Sequence, residues 1–412
     1  MASVAVTALL AIGASVAVAF VGSMLFRKTH IPDILFLLGC GALLGPVLHL
    51  VDVDAVQSAL PVLGALAIIT ILFDGALEVT PGQMRLFGVP AVGLSLTVLA
   101  TTTVLCAILA HGIAGMDWTP ALLLGLCFGG AGIAIIVPLA RRMGISHDAN
   151  AVVLLEAVTS DIFVIIAMFI ACTVVAVGSL GAALAVKLLL IVAIAIATGP
   201  LAGWLWARFL GRWGHTTNAY MATLAVLVLV YALTEVLGGS GALAVLLFGI
   251  VVGNSKGRPI GSGLRNQVFA RELVAFHHEV VFFVRAAFFT GLGAVTRWEL
   301  LQDPAFLVTG LLLALAVGVC RSLGVGVALG RSGLSRWDRV ATAMLFPMGL
   351  VTAAVSVVPK AFGIPGAQLI VDYAAVVIVL TNVLGTVAVF AVSAIHDRFG
   401  RPTPAAVPRQ EA

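Results

Sequence analysis

Runs of about 20 apolar residues recur along the whole 412-residue chain, and this feature limits the possible folds more than any other. A helix needs about 20 consecutive apolar residues to cross the hydrocarbon core of a bilayer. Spanning β-strands would instead give short segments of alternating polarity, about 10 residues each. The sequence therefore predicts an all-α polytopic membrane protein.

The composition agrees with this fold class and restricts the function. Only 10% of the residues are charged and 61% are hydrophobic, whereas soluble domains carry about 25% charged residues. The five cysteines all lie inside apolar runs without a CxxC pair, so we expect small buried side chains. No polar stretch is long enough for a catalytic or regulatory module, so we predict no enzyme activity, no cofactor and no nucleic-acid partner.

Thirteen transmembrane spans can be drawn from the apolar runs. Their approximate bounds are 3–26, 31–50, 57–78, 87–110, 119–140, 149–177, 180–208, 218–237, 240–254, 277–295, 304–330, 338–359 and 366–395. The first run resembles a signal peptide, but residues 1–7 carry no Lys or Arg and the run is too long, so we expect a retained helix. The spans form a single transmembrane domain over residues 1–396, followed by a short cytoplasmic tail over 397–412.

The basic residues predict the orientation. Cytoplasmic loops of membrane proteins carry an excess of Lys and Arg. With the N-terminus outside, 17 of the 22 lysines and arginines fall in inner segments and only two in outer segments. We therefore predict an N-out/C-in, multi-pass protein of the plasma membrane, with the lipid bilayer as its surroundings.

Three charged residues deep inside the predicted spans are the main functional candidates, while Arg321 and Lys187 also lie within spans and are less telling. Glu156 and Asp161 are both in "LLEAVTSDIFVII", and Arg285 is in "VVFFVRAAFFTGLGA". A charge at the bilayer centre costs about 3 kcal/mol on insertion scales, so such residues are functional candidates. Asp161 is about 18 Å into its span at 1.5 Å per residue, near the midplane.

The two acids cannot share one helix face. Five residues correspond to about 500° of rotation, so their side chains point about 140° apart. We expect Glu156 and Arg285 to form a structural ion pair, because a lone buried guanidinium would be costly. Asp161 is then free to bind a cation or proton, unless both acids only neutralise Arg285. Asp74 is expected near the inner end of span three, in a solvated or capping role.

Spans five and twelve contain helix-breaking residues at similar depths. Span five has Gly129, Gly130, Gly132 and Pro138, and span twelve has Pro347 and Gly349. Irregular backbone at membrane depth is tolerated only where it is buried or lines a cavity. Two interrupted helices in corresponding, antiparallel positions are typical of inverted-repeat transporters with a site at the helix crossing. The alternative is that both are ordinary packing kinks.

Several motifs together resemble the monovalent cation:proton antiporter superfamily, in its sodium/proton exchanger branch. They are "IPDILFLLGCGALLGP", "ILFDGALEV", "LGLCFGGAGIAIIVPLARRMGIS", "LLEAVTSD", "FFVRAAFFTGLGA" and "FPMGLVTAAV". The resemblance implies that Asp161 binds cation and proton in turn, and that Glu156 pairs with an arginine matched by Arg285. It also implies a homodimer that works by alternating access. Its mobile core would comprise spans over about 87–177 and 304–395, and the other spans would form the dimerisation scaffold.

Two departures from the family pattern bear on the substrate. Ser160 stands where relatives have Asn or a second Asp, which favours electroneutral exchange of one cation per proton. A family "TDP" motif is replaced by Ala131, Gly132 and Ile133, which removes one carboxylate ligand. The predicted monovalent-cation site then consists of Asp161, Ser160 and Thr159, with main-chain oxygens near Gly130 and Ala131.

The sequence thus predicts a secondary antiporter that exchanges Na⁺ or K⁺ for H⁺ by competition at Asp161. Either ligand neutralises a desolvated carboxylate. The neutral site can cross the membrane interior at a low free-energy cost, and the charged site cannot. Two alternatives remain open: a carrier of the same architecture that moves an organic or anionic solute, and a channel, receptor or structural membrane protein with a degenerate site.

Overall fold

The computed structural model describes residues 2–29, 31–78, 81–177, 182–213, 219–254 and 264–399, and these residues form helices without any strand. The α-helices are α1 (Ala2–Thr29), α2 (Asp33–Ala42), α3 (Val53–Glu78), α4 (Pro81–Gly112), α5 (Trp118–Cys127), α6 (Ile133–Met143), α7 (His147–Val177), α8 (Ala182–Trp213), α9 (Ala219–Val236), α10 (Gly241–Asn254), α11 (Leu264–Val295), α12 (Pro304–Leu329), α13 (Arg336–Met344), α14 (Leu350–Ser356), α15 (Val358–Ala361) and α16 (Ala367–Phe399). A π-helical turn, Leu43–Val47, extends α2, and a 3-10 turn, Trp298–Gln302, precedes α12.

Eight helices in the described part of the chain are long and apolar enough to cross a membrane. The other five predicted spans fall on shorter apolar segments: Gly13–Phe26, Asp33–Val47, Trp118–Cys127, Gly241–Asn254 and Leu350–Ala361. The all-α prediction is confirmed, while the count of thirteen spans and the N-out/C-in orientation stay predictions. Most of the predicted tail, from residue 400 onward, lies outside the described residues.

The helices pack in two sets. In one set α4 lies between α7 and α12, and α16 packs on α12, α14 and α5. In the other set α11 packs on α2 and α3, and α10 packs on α3 and α8. Weaker contacts, such as those of α3 with α7 and α14, join the two sets. Residues that contact both sets therefore lie where a cavity can form between them.

Glycines allow α2 and α11 to touch backbone to backbone. A Cβ atom at Gly41 would collide with the carbonyl oxygen of Thr290, and one at Gly293 would collide with that of Leu38. A Cβ at Gly45 would lie 2.9 Å from the carbonyl oxygen of Ala294. Because packed interiors deform little, this contact makes α2 and α11 a stiff unit.

A polar network ties α16 to α11 and α3. The Asp372 carboxylate accepts hydrogen bonds from the Arg297 main-chain N–H at 3.1 Å and its Nε at 2.8 Å. Gln368 donates to the same carboxylate at 3.1 Å and accepts from Gln57 Nε2 at 3.0 Å. These bonds satisfy a carboxylate that is fully buried, as buried charges require.

Candidate functional site: a buried carboxylate beside two helix interruptions

Asp161 is a buried carboxylate with spare hydrogen-bonding capacity. It lies midway along α7, 4% exposed. The main chain at Ala131 lies close to the carboxylate, but Oδ1 has no hydrogen-bond partner among the described residues. Buried polar atoms are almost always bonded, so an unpartnered carboxylate oxygen points to a ligand.

The chain leaves the helical conformation at two places, and these two places touch. Residues 128–132 separate α5 from α6, and residues 345–349 separate α13 from α14. The main-chain N–H of Gly132 donates to the carbonyl oxygen of Pro347 at 3.2 Å. A Cβ at Gly132 would lie 2.9 Å from the main-chain nitrogen of Gly349. Only glycine fits this contact, which explains the glycine at position 132, the last residue of the segment "GGAG".

The second interruption is held by a side chain from α16. Asn382 is fully buried, and its Nδ2 donates to the carbonyl oxygens of Met348 at 2.9 Å and Ile378 at 2.7 Å. Leaving a buried carbonyl unpaired costs about 1–3 kcal/mol. Asn382 therefore stabilises the non-helical segment beside Gly132.

A cavity of ≈ 80 Å³ connects Asp161 to the boundary between the two helix sets. A water needs only about 10–15 Å³ on this measure, so the space suits a small cation with part of its hydration shell. Its charged lining residues are Asp161, Asp74 and Arg285; main-chain and apolar atoms from both interruptions, including Ala131, Gly132 and Gly349, complete the wall.

Glu156 pairs with Arg321, not with Arg285 as expected. Arg321 Nη1 and Nη2 donate to Glu156 Oε1 and Oε2 at 3.0 Å and 2.9 Å, and Arg321 Nε donates to the Thr342 carbonyl oxygen at 3.1 Å. Glu156 is fully buried and Arg321 is 3% exposed. The physical reason is direction: Glu156 points away from Asp161, whereas Arg285 lines the cavity that Asp161 faces.

Arg285 pairs instead with Asp33, at the first turn of α2. Arg285 Nη2 donates to Asp33 Oδ2 at 2.7 Å. The pair forms because the glycine contacts hold α2 against α11, which brings Asp33 beside Arg285. The expected Glu156–Arg285 ion pair is thus replaced by two separate pairs, one in each helix set.

The other predicted ligands have different surroundings. Thr159 Oγ1 donates to the Leu155 carbonyl oxygen at 2.6 Å, and Ser160 Oγ donates to that of Ala157 at 3.0 Å. A Cβ at Gly130 would lie 3.2 Å from Asp161 Oδ1. The two hydroxyl protons are thus bonded within α7, and the main chain near Gly130 is adjacent to the carboxylate.

The remaining predicted residues belong to the interruptions or their flanks. Gly129 packs against α4 and α7, where a Cβ would meet Leu99 and Val164. Pro138 lies within α6, outside the interruption.

Sequence reasoning missed the structural roles of Arg321, Asp74, Asp33 and Asn382. Arg321 lies eight residues before the end of α12, and Glu156 lies nine residues after the start of α7. Their similar depth was the signal that could have indicated this pair. Asp74 lines the cavity, and its side chain is 30% exposed, so it is partly solvated as expected and also faces the site. Asp33 gave no signal because its partner Arg285 is 252 residues away, and Asn382 gave none because its acceptor Met348 lies in a non-helical segment of another part of the chain.

Comparisons with known proteins all find similarity to cation/proton antiporters. The family profile described as "Sodium/hydrogen exchanger, transmembrane" matches residues 16–394. The chain is 27% identical over 329 residues to the K⁺/H⁺ antiporter NhaP2 of Shewanella sp. strain MR-4, covering 77% of this chain and 54% of that one. It is 23% identical over 343 residues to Na⁺/H⁺ antiporter 1 of Methanocaldococcus jannaschii, covering 80% and 78%. The chain spans about half the length of the NhaP2 relatives it matches.

A solved structure has a similar fold. The sodium proton antiporter MjNhaP1 of Methanocaldococcus jannaschii, at pH 8, superposes with a TM-score of 0.76 at 20% identity. The match covers 95% of this chain and 98% of that one.

Proposed function

Because the chain belongs to the sodium/hydrogen exchanger family, we propose that it is a secondary active antiporter that exchanges K⁺ or Na⁺ for H⁺. The observation that carries the proposal is Asp161, a buried carboxylate with a free oxygen in a cavity beside two touching helix interruptions. The relatives named as K⁺/H⁺ and Na⁺/H⁺ antiporters support both cations.

The exchange follows from competition for one carboxylate. A bare charge is expensive to move through a low-dielectric environment, and either one proton or one monovalent cation neutralises it. The neutral site can change its access from one side to the other, and the empty charged site does so at a large cost. Each cycle then carries a cation one way and a proton the other.

We propose that Asp161 and main-chain oxygens near Gly130 and Ala131 are the main cation ligands. Hard monovalent cations favour oxygen ligands, and the helix ends at the interruptions add oriented dipoles. Ser160 and Thr159 are further candidate ligands, because their hydroxyls donate within α7 and keep oxygen lone pairs that a cation can bind. With serine rather than a second acid at position 160, one charge is neutralised per step, so we propose an electroneutral one-to-one exchange.

The proposed setting follows the family pattern. The two interrupted helices cross at the site as parts of inverted repeats within thirteen spans, N-out/C-in. The helices over about 87–177 and 304–395 move as the core, and the other helices form the scaffold of a homodimer in the plasma membrane. Exposed apolar side chains on α8 fit a lipid or dimer contact: Leu189, Leu190, Leu201, Trp204 and Leu205.

The solute-carrier alternative loses its main support. A positive side chain at the site favoured an anionic solute, but Arg285 is paired with Asp33, and two carboxylates, Asp161 and Asp74, line the same cavity. No described residue adds a second positive charge to the cavity lining.

The test is cation-dependent proton movement in proteoliposomes that contain a pH-sensitive dye. We expect Na⁺ or K⁺ to collapse an imposed proton gradient through the wild type and not through Asp161→Asn. Asp117→Asn, an exposed carboxylate at the start of α5 without a capping bond, is the matched control and should exchange like the wild type. Equal responses of the wild type and Asp161→Asn to every cation would contradict the proposal.

Stoichiometry needs its own measurement. With the membrane potential clamped by valinomycin and K⁺, electroneutral Na⁺/H⁺ exchange should proceed at the same rate at every potential. A rate that rises with the potential would refute one-to-one exchange.

A further inference from the structure

The Asp33–Arg285 pair lies in the wall of the cavity that contains Asp161. We propose that this pair sets the affinity of the cavity for the transported cation, because it presents a fixed positive charge to the space in front of Asp161. The inference rests on the proposed function, since it concerns the affinity of the same site.

The pair presents its positive end to the cavity. Arg285 is among the lining residues and Asp33 is not. The Arg285 side chain is 17% exposed and that of Asp33 only 5%. One guanidinium nitrogen, Nη2, is bonded to Asp33, while the buried Nε has no partner within the described part of the chain. The charge of Arg285 is therefore only partly compensated from the cavity side.

The pair is mounted on a stiff unit. Both residues belong to α2 and α11, which touch backbone to backbone at Gly41 and Gly293. Asp161 belongs to α7, in the other helix set. The position of the positive charge is thus fixed by the α2–α11 contact and not by the ligand that Asp161 holds.

The cavity lining then has a defined charge balance. Its charged residues are the carboxylates of Asp161 and Asp74 and the guanidinium of Arg285. The carboxylates attract a cation and Arg285 repels it. At an effective dielectric constant of about 20, one full charge about 10 Å away changes a binding constant by roughly tenfold. The pair is thus able to weaken cation binding and so favour release into the cavity.

This arrangement predicts opposite effects for the two partners. Asp33→Asn leaves Arg285 uncompensated, so the KM for Na⁺ or K⁺ should rise by about tenfold. Arg285→Gln leaves a carboxylate in its place, so the KM should fall by a similar factor. The double variant Asp33→Asn/Arg285→Gln removes both charges, and its KM should lie below that of the wild type, because the wild-type pair weakens cation binding.

The experiment measures initial exchange rates in proteoliposomes over a series of NaCl and KCl concentrations. Arg331→Gln removes a guanidinium at an exposed position outside the cavity lining and is the matched control, so its KM should stay within about twofold of the wild type. If Arg285→Gln does not fold, the comparison of Asp33→Asn with the double variant carries the test. In that case the double variant must have a lower KM than Asp33→Asn.

The failures are distinguishable. No cation-driven exchange by the wild type overturns the proposed function. Exchange by the wild type, with KM shifts of the same sign in both single variants or with changes in maximal rate alone, overturns the tuning role. Such results would reduce the pair to a structural link between α2 and α11.

Discussion

The ion pair between Glu156 and Arg321 gives the sharpest stability prediction. Arg321→Met removes three hydrogen bonds at once, two to the Glu156 carboxylate and one to the Thr342 carbonyl oxygen. Glu156 has no exposed surface, so its charge would be left unpaired in the interior. Breaking a buried pair in this way costs about 3–5 kcal/mol, which is a large part of the about 5–15 kcal/mol that stabilises a typical folded protein.

A double-mutant cycle separates the charge from the packing. Adding Glu156→Gln to Arg321→Met removes the unpaired carboxylate and keeps its shape. We expect the double variant to recover about 2–3 kcal/mol of the loss, within the range of coupling energies for contacting residues. The part not recovered, about 1–2 kcal/mol, reflects the lost bond from Arg321 Nε to the Thr342 carbonyl oxygen, which keeps the Leu345 main-chain N–H as its donor.

The assay is the melting temperature of the detergent-solubilised protein, followed by gel filtration after heating. Arg321→Met should melt well below the wild type, and the double variant should melt between them. If the double variant melts no higher than Arg321→Met, the pair is not the source of the loss. As a control, Glu156→Gln should give no recovery when it is added to Arg285→Gln, because Arg285 pairs with Asp33.

Two further predictions concern the interruptions. Gly132→Ala should abolish exchange in proteoliposomes, because its Cβ would lie 2.9 Å from the Gly349 nitrogen; Gly326→Ala, with no atom within 4 Å, is the control and should exchange normally. Asn382→Leu should lower the melting temperature, because the Met348 carbonyl oxygen loses its donor at a cost of about 1–3 kcal/mol. An unchanged melting temperature would refute the anchoring role of Asn382.

The sequence predicted the parts of the structure that depend on local chemistry. Apolar run length indicated the helices, and the glycines and prolines at 129–132 and 347–349 indicated both interruptions. The depth of Asp161 indicated a buried carboxylate, which is what the structure contains. These features could be predicted because helix length and glycine content act within a few residues of one chain segment.

The partners of the buried charged residues could not be predicted in the same way. Three cationic residues lay within predicted spans, and the sequence alone does not say which helix neighbours α7. Arg285 looked like the partner of Glu156 because it lies among aromatic residues with no acid nearby in sequence. Its true partner, Asp33, is 252 residues away and reaches it only through the close packing of α2 on α11. Long-range packing therefore decided the ion pairs.

The contact between Gly132 and Pro347 is made by main-chain atoms, and this affects how such a site can change over evolutionary time. Every substitution at these positions, other than proline, leaves an amide and a carbonyl in the same place along the chain. At position 132 only glycine fits, so one residue type keeps both the main-chain atoms and their spacing. Changes that tune the site and keep this contact are therefore expected in the size and charge of the surrounding side chains.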